Sequence, residues 1–303
     1  MATSTSTPAV GVGTRTAKRR REKAPRNPGN APWAVRIVLG IICFLWIVPV
    51  IGTFITSFRS EQDANTTGWW TVLAHPSFTL QNYHDVIVGA NLGQAFINSL
   101  AITLPATFIP ILIAAFAAYA FTFMEFRGRE FLFIVVVSLL VVPNYVSFVP
   151  ILKIYGNVGL AGTFPAAWLA HIGYGMSLAI YILRNYMATL PRTVIESAEI
   201  DGASHFQTFY RLILPMSVPA LASFAIFQFL WVWNDLLVAL VFIGPGSDNS
   251  PITVAVSQLL GQQGQNWNLV TAGGFFSLVV PLIVFLALQR YFVRGLTAGA
   301  VKG

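Results

Sequence analysis

The sequence predicts an all-α, polytopic integral membrane protein with six transmembrane helices and both termini in the cytoplasm. Three observations carry this reading. Of the 303 residues, 55% are hydrophobic and only 10% charged, against about 25% charged in an average soluble domain. Six apolar stretches, at about 33–58, 95–123, 131–152, 163–183, 216–243 and 270–292, each reach the roughly 20 residues needed to cross about 30 Å of hydrocarbon as a helix. The positive charge is also asymmetric. With the amino terminus inside, only Arg59 and Lys153 of the 18 Lys and Arg fall on the outer side, as the positive-inside rule requires.

Taken in order, residues 1–32 are rich in Ser, Thr, Pro and Gly and carry the cluster Lys18, Arg19, Arg20, Arg21. Such a segment buries too little apolar surface to fold, so a disordered basic cytoplasmic tail is expected. Its charge holds the terminus inside and accounts for much of the net +7 without any nucleic acid. Residues 33–94 form a first transmembrane helix and an extracytoplasmic segment. That helix is too long for a signal-peptide core and no small-residue cleavage site follows it, so it is expected to be retained. Residues 95–293 form the transmembrane core, interrupted by a polar loop at 184–215, and residues 294–303 form a cytoplasmic tail. Helices are expected because unpaired backbone groups are too costly in lipid, and the runs lack the alternation of barrel strands. Pro49, Pro105, Pro110, Pro143, Pro219 and Pro281 fall within spans. Each removes a backbone donor, and either bundle packing accommodates it or the spans flex around a pathway.

The chain lacks the chemistry of an enzyme. None of the lysines sits in a G-x-x-x-x-G-K-[ST] phosphate loop, and there is no H-E-x-x-H or C-x-x-C. The single cysteine, Cys43, lies in an apolar run, which leaves no disulfide or thiolate metal site. The four histidines are scattered, and His171 reads as a packed span residue. Asp235 is the only carboxylate deep in a span, thin support for an ion-driven secondary carrier, which usually needs several such groups. That carrier and a non-transporting membrane scaffold are the rivals to the reading below.

The loop at 184–215 is parsed by helix signals. Pro191 blocks continuation from upstream, and Thr193 with Glu196 fits a capping box. Gly202 can adopt the left-handed conformation that ends a helix, and Ser204 with Gln207 fits a second box. Phe206, Phe209, Tyr210 and Ile213 follow at i, i+3, i+4, i+7 and should share one face. With only Arg211 in that helix and Glu196, Glu199 and Asp201 upstream, this composition suits a groove on a protein better than an anionic lipid surface.

The run Glu196-Ser-Ala-Glu-Ile-Asp-Gly202, nine further residues, then Leu212-Ile-Leu-Pro215 resembles the E-A-A-x-x-x-G-x9-I-x-L-P signature of permease subunits of bacterial ABC importers. Ser197 and Leu212 depart from it conservatively. FTLQNYHDVI, FINSLAIT, WVWNDLLVAL and QRYFVRGLTAGAVKG are similar to the carbohydrate-importer branch, whose model member is the maltose transporter. The resemblance covers about residues 33–303 and implies the type I importer permease fold. It implies that Glu196, Ala198, Asp201, Gly202, Ala203, Phe206, Phe209, Tyr210, Leu214 and Pro215 couple to an ATPase subunit. It implies that Arg294, Gly295, Gly299 and Lys302 in the tail contact the ATPase pair. The loop at 244–268, with Gln262, Gln263, Gln265, Asn266 and Trp267, would meet a sugar-binding protein, amides suiting hydroxyls and the aromatic ring suiting a sugar face. Trp231, Asn234 and Asp235 are candidates for lining the pathway, Asp235 because a carboxylate in a span should face an interior or cavity. The implied partners are a second homologous permease, two ATP-binding subunits, an extracytoplasmic sugar-binding protein and membrane lipid. The chain itself is expected to bind no cofactor, since ATP and Mg are used by the partner ATPase. The implied cargo is a sugar or oligosaccharide, maltose or another α-glucoside.

Overall fold

The structure, a computed structural model, describes the backbone of residues 33–260 and 265–298 and the side chains up to 289. The amino-terminal tail, Gln262, Gln263, Gly299 and Lys302 lie outside the described residues. Two compact units are distinguished, Met1–Val50 and Ile51–Gly303. Within the first, the described part is a stretch of helix with exposed apolar side chains, Trp46 and Phe44 among them.

Every regular element among the described residues is a helix. Four helices are long and apolar enough to cross a bilayer unbroken: α1 (Trp33–Ser57), α4 (Leu92–Phe123), α7 (Phe164–Met187) and the part Trp267–Gln289 of α14 (Trp267–Ala298). Two further helix pairs are as long and apolar but sharply bent, Arg129–Val141 with Asn144–Asn157 at 92° and His205–Met216 with Val218–Trp233 at 71°, which gives up to six crossings if each pair is one span.

The first bent pair replaces the continuous span expected at 131–152. It consists of α5 (Arg129–Ser138), two short 3₁₀ turns and α6 (Phe148–Asn157). Val142 is extended, with φ −72° and ψ 121°, because the ring of Pro143 disfavours the helical region for the residue before it. Pro105 and Pro110 behave differently: α4 runs through both without a break. α4 also makes the most extensive helix–helix interface, with α7. Fully buried alanines line it from both sides, Ala106, Ala114 and Ala118 from α4 and Ala167 and Ala179 from α7. Small residues allow close backbone approach, which is how helices associate in lipid without a hydrophobic driving force.

The span expected at 216–243 is also divided, into α11 (Val218–Trp233) and α12 (Leu237–Phe242). Asp235 sits at the break. Its carboxylate accepts from the Val238 N–H at 2.8 Å, capping the new helix, and its carbonyl accepts from the Thr253 hydroxyl at 2.8 Å.

The segment between α1 and α4 holds α2 (Glu61–Thr66), a 3₁₀ turn, α3 (Gln81–His84) and a π turn. Buried amides tie it down. Asn82 donates to the carbonyls of Ser57 at 2.9 Å and Arg59 at 2.8 Å, and Asn268 donates to Asn82 at 2.8 Å. The Arg59 guanidinium, almost fully buried, donates to the carbonyl and hydroxyl of Thr67 and to the Thr71 hydroxyl. Hydrogen bonds from Ser77 and Ser60 hold the exposed Asp63 carboxyl below its ordinary range.

The polar stretch expected to reach outward at 244–268 is partly folded back. It contains α13 (Ile252–Gln258), with Ile252 and Val254 fully buried. Asn98 of α4 donates to the carbonyls of Asp248 at 2.7 Å and Ser250 at 3.1 Å. Ser99 accepts from the Ile252 N–H at 2.8 Å. Replacing Asn98 by Leu takes this donor from the carbonyl of buried Ser250, at about 1–3 kcal/mol. The purified protein should melt several degrees lower, and an unchanged melting temperature would contradict this role.

Candidate functional site

The polar loop begins where α7 ends and comprises α8 (Arg192–Ile200), α9 (His205–Thr208), a π-helical turn (Phe209–Ile213) and α10 (Leu214–Met216). Only one of the two expected capping boxes forms. Around Ser204 both halves are present: the Ser204 hydroxyl accepts from the Gln207 N–H and the Gln207 side chain accepts from the Ser204 N–H. At α8 the cap position is occupied instead by Pro191, with no side-chain cap bond. With Pro191 as the cap, α8 starts two residues earlier than the box requires, so Thr193 and Glu196 lie inside the helix and the Thr193 carbonyl accepts from the Ser197 hydroxyl at 2.8 Å. Gly202 is left-handed, φ +74°. The Ala203 N–H reaches back to the Ala198 carbonyl at 2.9 Å, closing α8 as a glycine C-cap does.

The expected aromatic face is split. Phe206 and Tyr210 are exposed, with their rings parallel at 6.3 Å. Phe209 and Ile213 point the other way, 2% and 0% exposed. The π turn is the physical reason: its wider turn rotates Ile213 away from the face an α-helix would have kept. Phe209 and Ile213 enter the largest apolar cluster, with Tyr119 of α4, Leu183 and Met187 of α7 and Phe224 of α11. Phe209 meets Phe116 at 4.5 Å and Tyr119 at 5.3 Å between ring centroids. Ala198 and Ile195 of α8 are buried alongside. Of the residues expected to face an ATPase, Glu196, Asp201, Gly202, Phe206, Tyr210 and Pro215 are exposed, Ala203 and Leu214 half-buried, and Ala198 and Phe209 turned inward. A cleft of about 420 Å³ runs between α8 and the second helix, past Asp201, Gly202, Gln207 and Arg211.

Two further anchors have no local sequence signal. Tyr119 and His205, far apart in sequence, share a hydrogen bond of 3.2 Å, and the Arg184 guanidinium lies 4.7 Å above the Phe133 ring of α5.

A cavity of about 520 Å³ lies where the break between α5 and α6 faces α7 and α11. Trp231 borders it and meets His171 edge-on at 5.4 Å. Asn234 and Asp235 do not line it: the Asn234 side chain folds back to the Leu230 carbonyl at 2.7 Å, and Asp235 caps α12. Gln228, fully buried, bridges helices by donating to Ala106 of α4 and His171 of α7 at 3.1 and 3.5 Å. Gly175 leaves room for it, since a Cβ there would lie 2.7 Å from the Gln228 Oε1.

Of the outward residues, Asn266 is left-handed, φ +69°. Its carbonyl accepts from the N–H groups of Leu269 and Val270, so it opens α14, and Trp267 is the first residue of that helix. At the far end α14 stays helical through Arg294 and Gly295 to Ala298, so the tail expected from Arg294 begins as helix.

Residues 109–298 match the family model of the binding-protein-dependent transport system inner membrane component. The chain belongs to that family. This permease is 56% identical over 272 residues to the osmoprotective compounds uptake permease protein GgtD of Synechocystis sp., across 88% of this chain and 91% of that one. It is 56% identical over 250 residues to the alpha-glucoside transport system permease protein AglG of Rhizobium meliloti, across 81% of this chain and 66% of that one. The permease fold also matches a chain of the bacterial ABC transporter that imports the acidic polysaccharide alginate. There the TM-score is 0.62 at 17% identity, covering 86% of this chain and 96% of that chain.

The capping difference is testable in this permease. Ser204→Ala should cost about 1 kcal/mol and speed amide hydrogen exchange across residues 204–213, whereas Thr193→Ala should leave exchange in α8 unchanged. Equal effects of the two substitutions would contradict the assignment.

Proposed function

We propose that this chain is the permease subunit of an ATP-driven importer of a sugar or oligosaccharide of the α-glucoside class. Its six spans, counting each bent pair as one crossing, leave both termini in the cytoplasm. It works with a second homologous permease, two ATP-binding subunits and an extracytoplasmic binding protein. ATP and Mg are used by the ATP-binding partners, because this chain has no phosphate loop. The observation that carries the reading is the two-sided build of residues 192–216: exposed Phe206, Tyr210 and Gly202 on one side, buried Phe209 and Ile213 on the other. An ATPase that grips the exposed side and closes would displace α4, α7 and α11 through the buried side, which is the rigid-body switching an alternating-access cycle needs. The substrate class rests on the likeness to the alpha-glucoside permease. The carboxyl-terminal residues from Arg294 and the segment around Gln265, Asn266 and Trp267 are the further surfaces offered to the ATPase pair and to the binding protein.

Gly202 isolates the docking role. A Cβ there meets nothing within 4 Å in this chain, so Gly202→Leu costs only the left-handed strain, about 1–2 kcal/mol. The variant should accumulate in the membrane at near-normal levels. The ATP-binding subunits should no longer co-purify, or sugar should no longer stimulate their ATPase activity. Normal sugar uptake and normal co-purification would overturn the coupling role.

A further inference from the structure

We infer that the cavity at the broken span is a subsite for a neutral polyhydroxylated solute, so that this subunit holds the cargo itself; this rests on the importer reading above. Three observations converge on it. First, the backbone is irregular here. Irregular backbone at membrane depth is tolerated only where it is buried in protein or lines a cavity, and discontinuous helices mark binding sites in transporters. The break at Val142–Pro143–Asn144 borders the cavity.

Second, the break delivers hydrogen-bonding capacity that the fold leaves unused. Ser147 donates to the Asn144 carbonyl at 2.6 Å, so the 3.0 Å bond between Ser147 and Tyr174 has Tyr174 as donor. Both hydroxyl oxygens then keep free lone pairs. The half-buried Asn144 side-chain amide, with two donors and an acceptor, makes no hydrogen bond to any described residue. Donors and acceptors side by side suit a hydroxyl, which is both. Trp231, on the facing helix, offers an indole as an apolar platform. The volume of about 520 Å³ lies within the range of small-molecule sites, about 300–1,000 Å³.

Third, the cavity is uncharged. Among the described residues, no Lys, Arg, His, Asp or Glu lines it. A carboxylate-bearing sugar would find no counter-charge on this wall to offset the cost of leaving water. The wall therefore selects neutral glycosides and rejects uronates.

The test uses the complete importer in proteoliposomes, with maltose, sucrose and trehalose as neutral probes and digalacturonate as the acidic one. Wild type should import at least one neutral disaccharide and no digalacturonate. The double variant Ser147→Ala, Tyr174→Phe should lose about tenfold in maximal uptake, the scale of one or two hydrogen bonds, with all subunits co-purifying. Ser147→Thr, which keeps the hydroxyl, should restore most of it. As an independent measurement, Ser147→Cys in a Cys43→Ser background is labelled with a maleimide, and the transported disaccharide should slow the labelling. This second measurement decides if the double variant fails to assemble. Uptake by an assembled double variant within twofold of wild type, or labelling indifferent to the sugar, would overturn the subsite while leaving the importer reading intact. A wild-type complex that imports no neutral disaccharide would overturn both.

Discussion

The structure depends on two side chains that leave a polar loop and enter an apolar bundle. Phe209 and Ile213 sit at the meeting point of α4, α7 and α11. A polar excursion between two membrane helices has no reason to move with them unless something apolar pins it. Full burial of side chains this size contributes about 1.5–3 kcal/mol each. The Tyr119–His205 bond and the Arg184–Phe133 contact add polar fixings around the same joint. The joint lets the exposed edge act as a handle, because force applied to Phe206 or Tyr210 reaches three spans through one packed cluster.

From that joint α7 and α11 lead along the bundle to the cavity. Gln228 lies between them, bonded to the backbones of α4 and α7, and forms one wall of the space that Asn144 and Ser147 close from the broken span. Two of the three helices that hold the loop, α7 and α11, therefore also line the cavity, and α4 is tied to it through the Ala106 carbonyl that Gln228 meets. A rigid displacement of one against the others changes the cavity without breaking covalent or backbone order. The irregularities at Val142–Pro143 and Asn234–Leu236 lie where such displacement can be absorbed.

Much of this was legible in the chain because lipid imposes simple rules. Span lengths follow from hydrocarbon thickness, so α1, α4 and α7 begin and end within a few residues of the apolar runs. The Gly202 bend and the Ser204 box are local devices with local signals. The rest was hidden where one sequence pattern admits two outcomes. Pro143 breaks its helix while Pro105 and Pro110 do not, a difference set by what packs around the freed carbonyls. Thr193 fits the same box as Ser204, but α8 already begins at Arg192, which puts Thr193 inside the helix. The i, i+3, i+4, i+7 pattern of Phe206 to Ile213 assumes a uniform α-helix, and a single π turn divides it. Of the cavity only Trp231 was anticipated, since Asn144, Tyr174 and Trp231 come from three distant segments.

The long-range amide ties bear on how the protein is made. Asn98 finds its acceptors at Asp248 and Ser250, and Asn82 accepts from Asn268, so each bond waits for a segment 150 to 186 residues further along the chain. Until then the Asn98 amide has only its own helix to bond to, where its Oδ1 accepts from Gln94 at 3.1 Å. Such a nascent bundle is marked as unfinished by its own polar groups, and the mark disappears when the last helix arrives.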